Sequence, residues 1–326
     1  MKNHLKRKLR NSIRKTDGIV TSWLSADIGG TKLAAAAWDG SHLHASSSIP
    51  TNAYQGPDQV IERLVGLLKE TADKAGIRKL SGIGVACPGP LSGKRGVVIK
   101  APNLGWENIP ISMILSERFY CPVVLENDAN AAALGEYTFG AGRGTESMAY
   151  ITVSTGVGCG IVLDGKIWEG MHESAGELGH VVLYNAGRKC PCGRYGCLEQ
   201  YASGTAIGYD VSRIMKTRGS KEPVTAKEAA ALARQGDKEM LEVFRRAGVN
   251  LGRGIAILLQ LMDLERIVIG GSVSQTLDLM QEGIEESIRK GSYWGRHEDW
   301  IAKAQLGGES GLLGAAVLIS NTERGI

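Results

Sequence analysis

Four short segments of the chain carry residue types that could do chemistry. The most specific is His180 followed by Cys190, Cys192 and Cys197 in the run CPCGRYGC. One imidazole and three thiolates make a closed tetrahedral Cys3His zinc set, which is structural because no coordination position stays open. Disulfides are the competing reading. Cys190 and Cys192 are too close in sequence to pair well, and a reducing compartment would keep them as thiols. Glu177, in AGELGH, and Glu199 flank this set. Acids so placed are either merely solvated or aimed at a ligand by a loop that the metal clamps. In the second case His180 would both bind zinc and face that ligand.

The run Leu125-Glu126-Asn127-Asp128-Ala129-Asn130 joins an apolar strand to the start of a helix. The positive end of a helix dipole favours the ionised carboxylate that a general base needs, so Asp128 is a candidate base. It is equally a candidate helix cap. Asn127 beside it offers both a donor and an acceptor, which suits a hydroxyl-bearing ligand. The remaining two segments are glycine loops. Asp27-Ile28-Gly29-Gly30-Thr31-Lys32 bares backbone N–H groups that can cradle phosphate oxygens and adds a hydroxyl and an ammonium. Asp27 there could hold Mg2+ through water. A plain hairpin turn fits the same residues, and the Walker A pattern is absent. Thr155-Gly156-Val157-Gly158-Cys159-Gly160 lies between two strands, unlike a dinucleotide fingerprint, which opens a helix. One such loop is weak evidence; two, each after the first strand of a half, reinforce each other.

These segments need a scaffold. Apolar runs predict strands at 23–28 and 33–38, a third near 42–49 after the turn signal Asp39-Gly40, and strands at 80–86 and 122–125. Val60, Ile61, Leu64, Leu67 and Leu68 recur at helical spacing behind Pro57-Asp58, and a helix is expected at 129–137. The second half predicts strands at 149–153, 160–163, near 181–183 and at 266–269. Its helices fall near 225–234, 238–261, from 275, and at 312–318. Two halves opening alike suggest a duplicated α/β unit that is not purely parallel, with a ligand cleft between the lobes. The expected division is a basic leader at 1–21, a small lobe of 22–129 plus 310–326, and a large lobe of 130–309.

Composition narrows the classes. The apolar fraction of 43% and charged fraction of 22% are those of an ordinary globular protein, and 44 glycines point to several tight loops. Of the net charge of +4, residues 1–17 contribute +6, leaving −2 for the rest. The body therefore has no strong basic field for nucleic acid. The leader contains Leu5, Leu9 and Ile13 at a spacing compatible with a short helix. A signal peptide fits poorly, since cleavage after Ala26 would remove the strand holding the first glycine loop. No run reaches the roughly 20 apolar residues of a membrane helix, and the expected location is cytoplasmic. Cys87, Cys121 and Cys159 sit in apolar or glycine-rich surroundings and read as packing residues.

Taken together, the segments at 27–32, 127–128, 154–160, 177–180, 190–199 and Ile269-Gly270-Gly271 resemble the ROK family of bacterial sugar kinases and repressors. The resemblance runs from about residue 23 to the C-terminus. It implies the actin/hexokinase-like fold of two ribonuclease-H-like lobes. It also implies that Asp128 takes the proton from a sugar 6-hydroxyl as that hydroxyl attacks the γ-phosphate of ATP. By the same analogy Asn103, Asn127, Glu177, His180 and Glu199 hold the sugar. Gly29, Gly30, Thr31, Thr155 and Gly156 cradle phosphates, and Gly270 and Gly271 face the adenosine. Cys159, Ser272 and Leu264-Glu265 depart from the usual family residues, which puts only nucleotide affinity in doubt. Cys87-Pro88-Gly89-Pro90 and the run 101–106 look like the glucokinase branch, so glucose is the favoured hexose. N-acetylmannosamine or N-acetylglucosamine is the alternative, and fructose ranks below them. A sugar-sensing repressor is disfavoured, because about 20 residues before the first strand are too few for a DNA-reading helix set. Family likeness further implies a homo-oligomer, dimer or tetramer.

Overall fold

The computed structural model describes residues 22–220, 224–291 and 300–324, so the basic leader lies outside the described residues. The chain opens with hairpin-linked strands β1 (Ser22–Ile28), β2 (Lys32–Trp38) and β3 (Leu43–Pro50). Helix α1 (Pro57–Lys74) starts behind Pro57 and buries Val60, Ile61, Leu64, Val65, Leu67 and Leu68 along one face. Strand β4 (Leu80–Cys87) follows. A small three-stranded sheet comes next, made of β5 (Leu91–Ser92), β6 (Val97–Ala101) and β7 (Trp106–Ile109). Helix α2 (Ile111–Phe119), β8 (Val123–Asn127) and α3 (Asp128–Phe139) complete the first half.

The second half begins with β9 (Ser147–Val153), β10 (Val157–Leu163) and β11 (Lys166–Ile167). A long irregular stretch then leads to helices α4 (Glu199–Ala202), α5 (Gly204–Thr217), α6 (Ala226–Arg234) and α7 (Lys238–Met262). Strand β12 (Arg266–Gly270), α8 (Leu277–Gly291), β13 (Ile301–Lys303) and α9 (Ser310–Arg324) close the chain. The two five-stranded sheets have the same topology: β3-β2-β1-β4-β8 and β11-β10-β9-β12-β13. In each, the first three strands are antiparallel neighbours, while the fourth pairs parallel with the first and with the fifth. The duplication expected from the sequence is therefore present strand for strand.

Helices α3 and α9 pack on each other between the sheets, α9 against β1 and β4 and α3 against β9 and β10. They approach closely because their contact residues are small. A Cβ on Gly314 would lie 1.7 Å from the Ala131 carbonyl oxygen, and one on Gly135 would lie 2.3 Å from that of Ser310. Alanine and glycine in α3 thus record its burial from Ala129 to Glu136. The third strand of the second sheet is Lys166–Ile167, not the segment near 181–183. That apolar segment makes an isolated bridge from Val182 to Cys197, because it is drawn into the cysteine loop. No helix among the described residues is long and apolar enough to cross a membrane.

Candidate active site

Strand β8 ends at Asn127 and α3 begins at Asp128. Asn127 is the cap: its Oδ1 accepts from the N–H groups of Ala129 (2.9 Å) and Asn130 (3.4 Å). Asp128 is thereby released from capping the turn, and its Oδ1 accepts from the Ala129 N–H beside it, at 2.8 Å. The Asp128 side chain is open to solvent yet has protein mass from both halves around it, and this desolvation raises its pKa. Two further carboxyls lie nearby. Asp27, at the end of β1, is pushed up to about 6 by burial and by the charge of Asp128, against the pull of Lys32. Buried Glu126 accepts from the Asn127 N–H at 2.7 Å and from Asn130 Nδ2 at 2.9 Å. It is pushed up to about 7 by burial and by its neighbour Glu169. The sequence reading passed over Glu126, since an acid inside an apolar strand carries no motif.

The first glycine turn is closed by the Gly29 N–H donating to the Lys32 carbonyl at 2.9 Å. Thr51 braces it, donating from Oγ1 to Gly29 O at 2.6 Å and from N–H to Thr31 O at 3.0 Å. Gly30 packs closely on Asn103: a Cβ there would sit 3.0 Å from the Asn103 Cβ. Asn103, exposed on a 3-10 turn after β6, therefore stands against this loop. Thr31 is exposed, and the Lys32 ammonium reaches over Gly308 at the head of α9.

The second turn runs from Ser154 to Gly158, with the Ser154 N–H donating to Gly156 O at 2.9 Å. Thr205, in the first turn of α5, donates its hydroxyl to Thr155 O at 2.7 Å. Glu199 reaches in from α4, its Oε2 accepting from the Val157 N–H at 3.0 Å. A Cβ on Gly156 would come within 2.4 Å of that oxygen. Gly270 and Gly271, at the end of β12, close the same side. Gly271 has φ +82° and lies against the Val153 carbonyl, and the Ser272 N–H donates to Ser154 Oγ at 3.1 Å.

His180, Cys190, Cys192 and Cys197 converge, with all their ligand atoms within 4.8 Å of one another. Cys192 and Cys197 Sγ atoms are 3.7 Å apart, and His180 Nδ1 is 3.6 Å from Cys190 Sγ. Ligands around tetrahedral zinc at ordinary bond lengths would stand about 3.8 Å (S to S) and 3.6 Å (N to S) apart. The donor set therefore fits zinc in both chemistry and spacing. Backbone donation from Arg194 lowers the Cys192 thiol to about 6, towards the thiolate a metal needs. The other ring nitrogen of His180, Nε2, lies 4.0 Å from Glu177 Oε2. The cluster thus turns His180 and Glu177 towards the same region. Cys87, Cys121 and Cys159 are buried thiols outside this set.

Comparison with known proteins follows this geometry. The model of the ROK family matches residues 23–322. The glucokinase of Streptomyces coelicolor is 34% identical over 90% of this chain and 96% of its own length. An N-acetylmannosamine kinase of Yersinia pseudotuberculosis is also 34% identical, over 90% of this chain and 97% of its own. Among solved structures, a ROK hexokinase from Thermus thermophilus superimposes with a TM-score of 0.82 at 36% identity, covering 94% of this chain and 100% of that one. A ROK glucokinase from Streptomyces griseus, in complex with glucose and AMPPNP, gives 0.78 at 32% identity, covering 91% and 98%. The chain belongs to the ROK family and has its actin/hexokinase-like fold.

Proposed function

We propose that this protein is an ATP-dependent hexose kinase that phosphorylates the sugar 6-hydroxyl, with glucose as the favoured substrate. One observation carries the reading: Asp128, released from capping by Asn127, stands open to solvent, close enough to Asp27 before the first glycine turn for their charges to interact, and Gly158 of the second turn lies against Ala129 beside it. Asp128 would accept the 6-hydroxyl proton as the oxygen attacks the γ-phosphorus, and the bond to the ADP oxygen breaks. Asn103, Asn127, Glu177, His180 and Glu199 would hold the sugar hydroxyls. Gly29, Gly30, Thr31, Lys32, Thr155 and Gly156 would cradle phosphates, and Gly270 and Gly271 would face the adenosine. The protein contributes chiefly alignment and charge placement, which is what phosphoryl transfer requires.

Asp27, whose pKa is raised by burial and by the charge of Asp128, and Asp128 itself make a donor set that suits a divalent cation. Mg2+ bound with the nucleotide would neutralise phosphate charge there, with Asp27 holding it through water. Zinc held by His180, Cys190, Cys192 and Cys197 would supply rigidity only. The division into a lobe of 22–129 plus 310–326 and a lobe of 130–309 belongs to the same proposal.

An N-acetylmannosamine kinase is the second reading, favoured by a relative of equal identity. An ADP-release assay with Mg-ATP over glucose, N-acetylmannosamine, N-acetylglucosamine, mannose and fructose separates the two. Turnover highest with glucose is the expected result. Silence across the panel from folded, zinc-loaded protein would refute the kinase reading.

A further inference from the structure

We propose that Glu173 is a positioning residue for the sugar site, clamping the loop that delivers Glu177 and His180 onto the hairpin that leads to Asn103. This rests on the reading of those three residues as sugar ligands. The loop, residues 168–176, leaves the second sheet after β11; the hairpin, β5–β6, is an excursion of the first half. They are distant in sequence, yet one carboxylate joins them. Ser92 donates its buried hydroxyl to Glu173 Oε2 at 2.8 Å, and the Lys94 N–H donates to Oε1 at 2.9 Å. The Arg95 N–H in turn donates to Ser92 Oγ at 3.3 Å, ordering the turn that offers both donors.

The surroundings indicate that the position is built for this contact. Glu173 has φ +54°, a left-handed conformation that an unbranched acid adopts at a cost. That cost is met where both carboxylate oxygens have partners, and these bonds to an ionised group are the stronger kind. Burial alone would raise the Glu173 pKa. The Lys94 N–H, the Ser92 hydroxyl and the Lys94 charge instead hold it below the ordinary range. The hairpin itself is pressed on the middle of β8, where a Cβ on Gly93 would lie 2.8 Å from the Leu125 carbonyl oxygen. The loop has a second point of attachment: the Ala175 N–H donates to Glu169 O at 3.0 Å, and the Glu169 carboxyl bonds that of Glu126. Just past the clamp, Gly176 is stacked on the Cys159 carbonyl, where a Cβ would be 2.3 Å away. Glu177 and His180 thus emerge from a loop fixed at both ends, and Glu173 fixes it to the wall carrying Asn103 and to the strand carrying Asn127.

Losing the clamp should loosen sugar binding without touching the base or either glycine turn. In the full-length, zinc-loaded protein, Glu173→Gln is expected to raise the sugar KM about tenfold, the worth of one charge-assisted hydrogen bond. Both kcat and the KM for ATP should stay within about twofold of wild type. Ser92→Ala should act in the same direction, and the double variant should be no worse than Glu173→Gln alone. Amides of residues 174–180 should exchange with solvent faster in Glu173→Gln. An unchanged sugar KM, additive single effects, or a parallel fall in kcat and Tm would overturn the assignment. Should wild-type protein phosphorylate none of the sugars, the kinase reading falls. The clamp is then judged on hydrogen exchange alone, and unchanged exchange at 174–180 overturns it.

Discussion

The two glycine turns occupy equivalent places, after the first strand of each sheet, but they acquire charge in opposite ways. The first brings its own: Asp27 is the last residue but one of β1 and Lys32 begins β2, inside six consecutive residues. The second, from Ser154 to Gly158, holds no ionisable side chain and receives its carboxylate from Glu199, 42 residues beyond Val157. Duplication has thus copied the scaffold and not the chemistry. The first turn depends on local sequence, whereas the second depends on a loop that the Cys3His cluster must hold.

Asp128 stands between these arrangements, so removing its charge tests whether they serve one reaction. Asp128→Asn should bind sugar and lower kcat by about 100- to 10,000-fold. The stability of this variant relative to wild type should grow as pH rises, because burial penalises the ionised carboxylate and the amide avoids that cost. A kinetic assay paired with thermal melts reads both effects. Retained turnover would remove Asp128 from the role of base.

Stripping the metal should separate the halves. A strong chelator, or Cys192→Ser, is expected to lower Tm by about 5 °C or more and raise the sugar KM, since folding energy is tied to the site. The effect should reach the second turn through Glu199 and leave the first intact. Hydrogen exchange would show loss of protection at Val157 and none at Gly29. Metal-free wild type with unchanged Tm and KM would contradict the dependence on the cluster.

How much of this was legible in the sequence follows the same division. The first turn, the Asn127-Asp128 junction and the cysteine set were readable because their residues are neighbours, so spacing alone encodes geometry. The hairpin β5–β7 and helix α5 were not singled out. The two residues of β5 are too short for a period to show, and Gly204 and Gly208 blur the helical pattern of α5. The strand expected near 181–183 failed for a related reason: apolar residues there serve the cysteine loop, and periodicity cannot tell which partner an apolar run will meet. Glu126, Glu169 and Glu173 are invisible locally because their partners come from the other half or from a different loop.

Asp27 and Glu126 set a pH dependence that runs against the chemistry. A carboxyl whose pKa is raised on folding holds its proton more tightly folded than unfolded. Its stabilising share is complete below the unfolded value and disappears as pH rises through the folded one. For Asp27 the window runs from 3.8 to about 6, and for Glu126 from 4.5 to about 7. Stability should therefore decline across that range, whereas ionisation of Asp128, whose pKa burial also raises, favours turnover as pH rises. Glu126→Gln should flatten the upper part of the decline in melts recorded between pH 5 and about 8. An unchanged slope would mean that Glu126 does not titrate across that range.

The smallest expected effect distinguishes the turns most directly. Gly156→Ala places a methyl 2.4 Å from Glu199 Oε2, a contact that must displace the carboxylate from the Val157 N–H. Gly30→Ala places one 3.0 Å from the Asn103 Cβ, a lesser conflict that a few tenths of an ångström relieve. The first change should raise the sugar KM several-fold, about as much as Glu199→Gln, since both undo one hydrogen bond to a charged group. Combining Gly156→Ala with Glu199→Gln should add little further. Gly30→Ala should alter the sugar KM by less than about twofold, and its effect should shrink in an Asn103→Gly background, which removes the Cβ that the methyl meets. Equal effects at the two glycines would erase the contrast, because the second turn would then owe nothing special to a carboxylate brought from elsewhere.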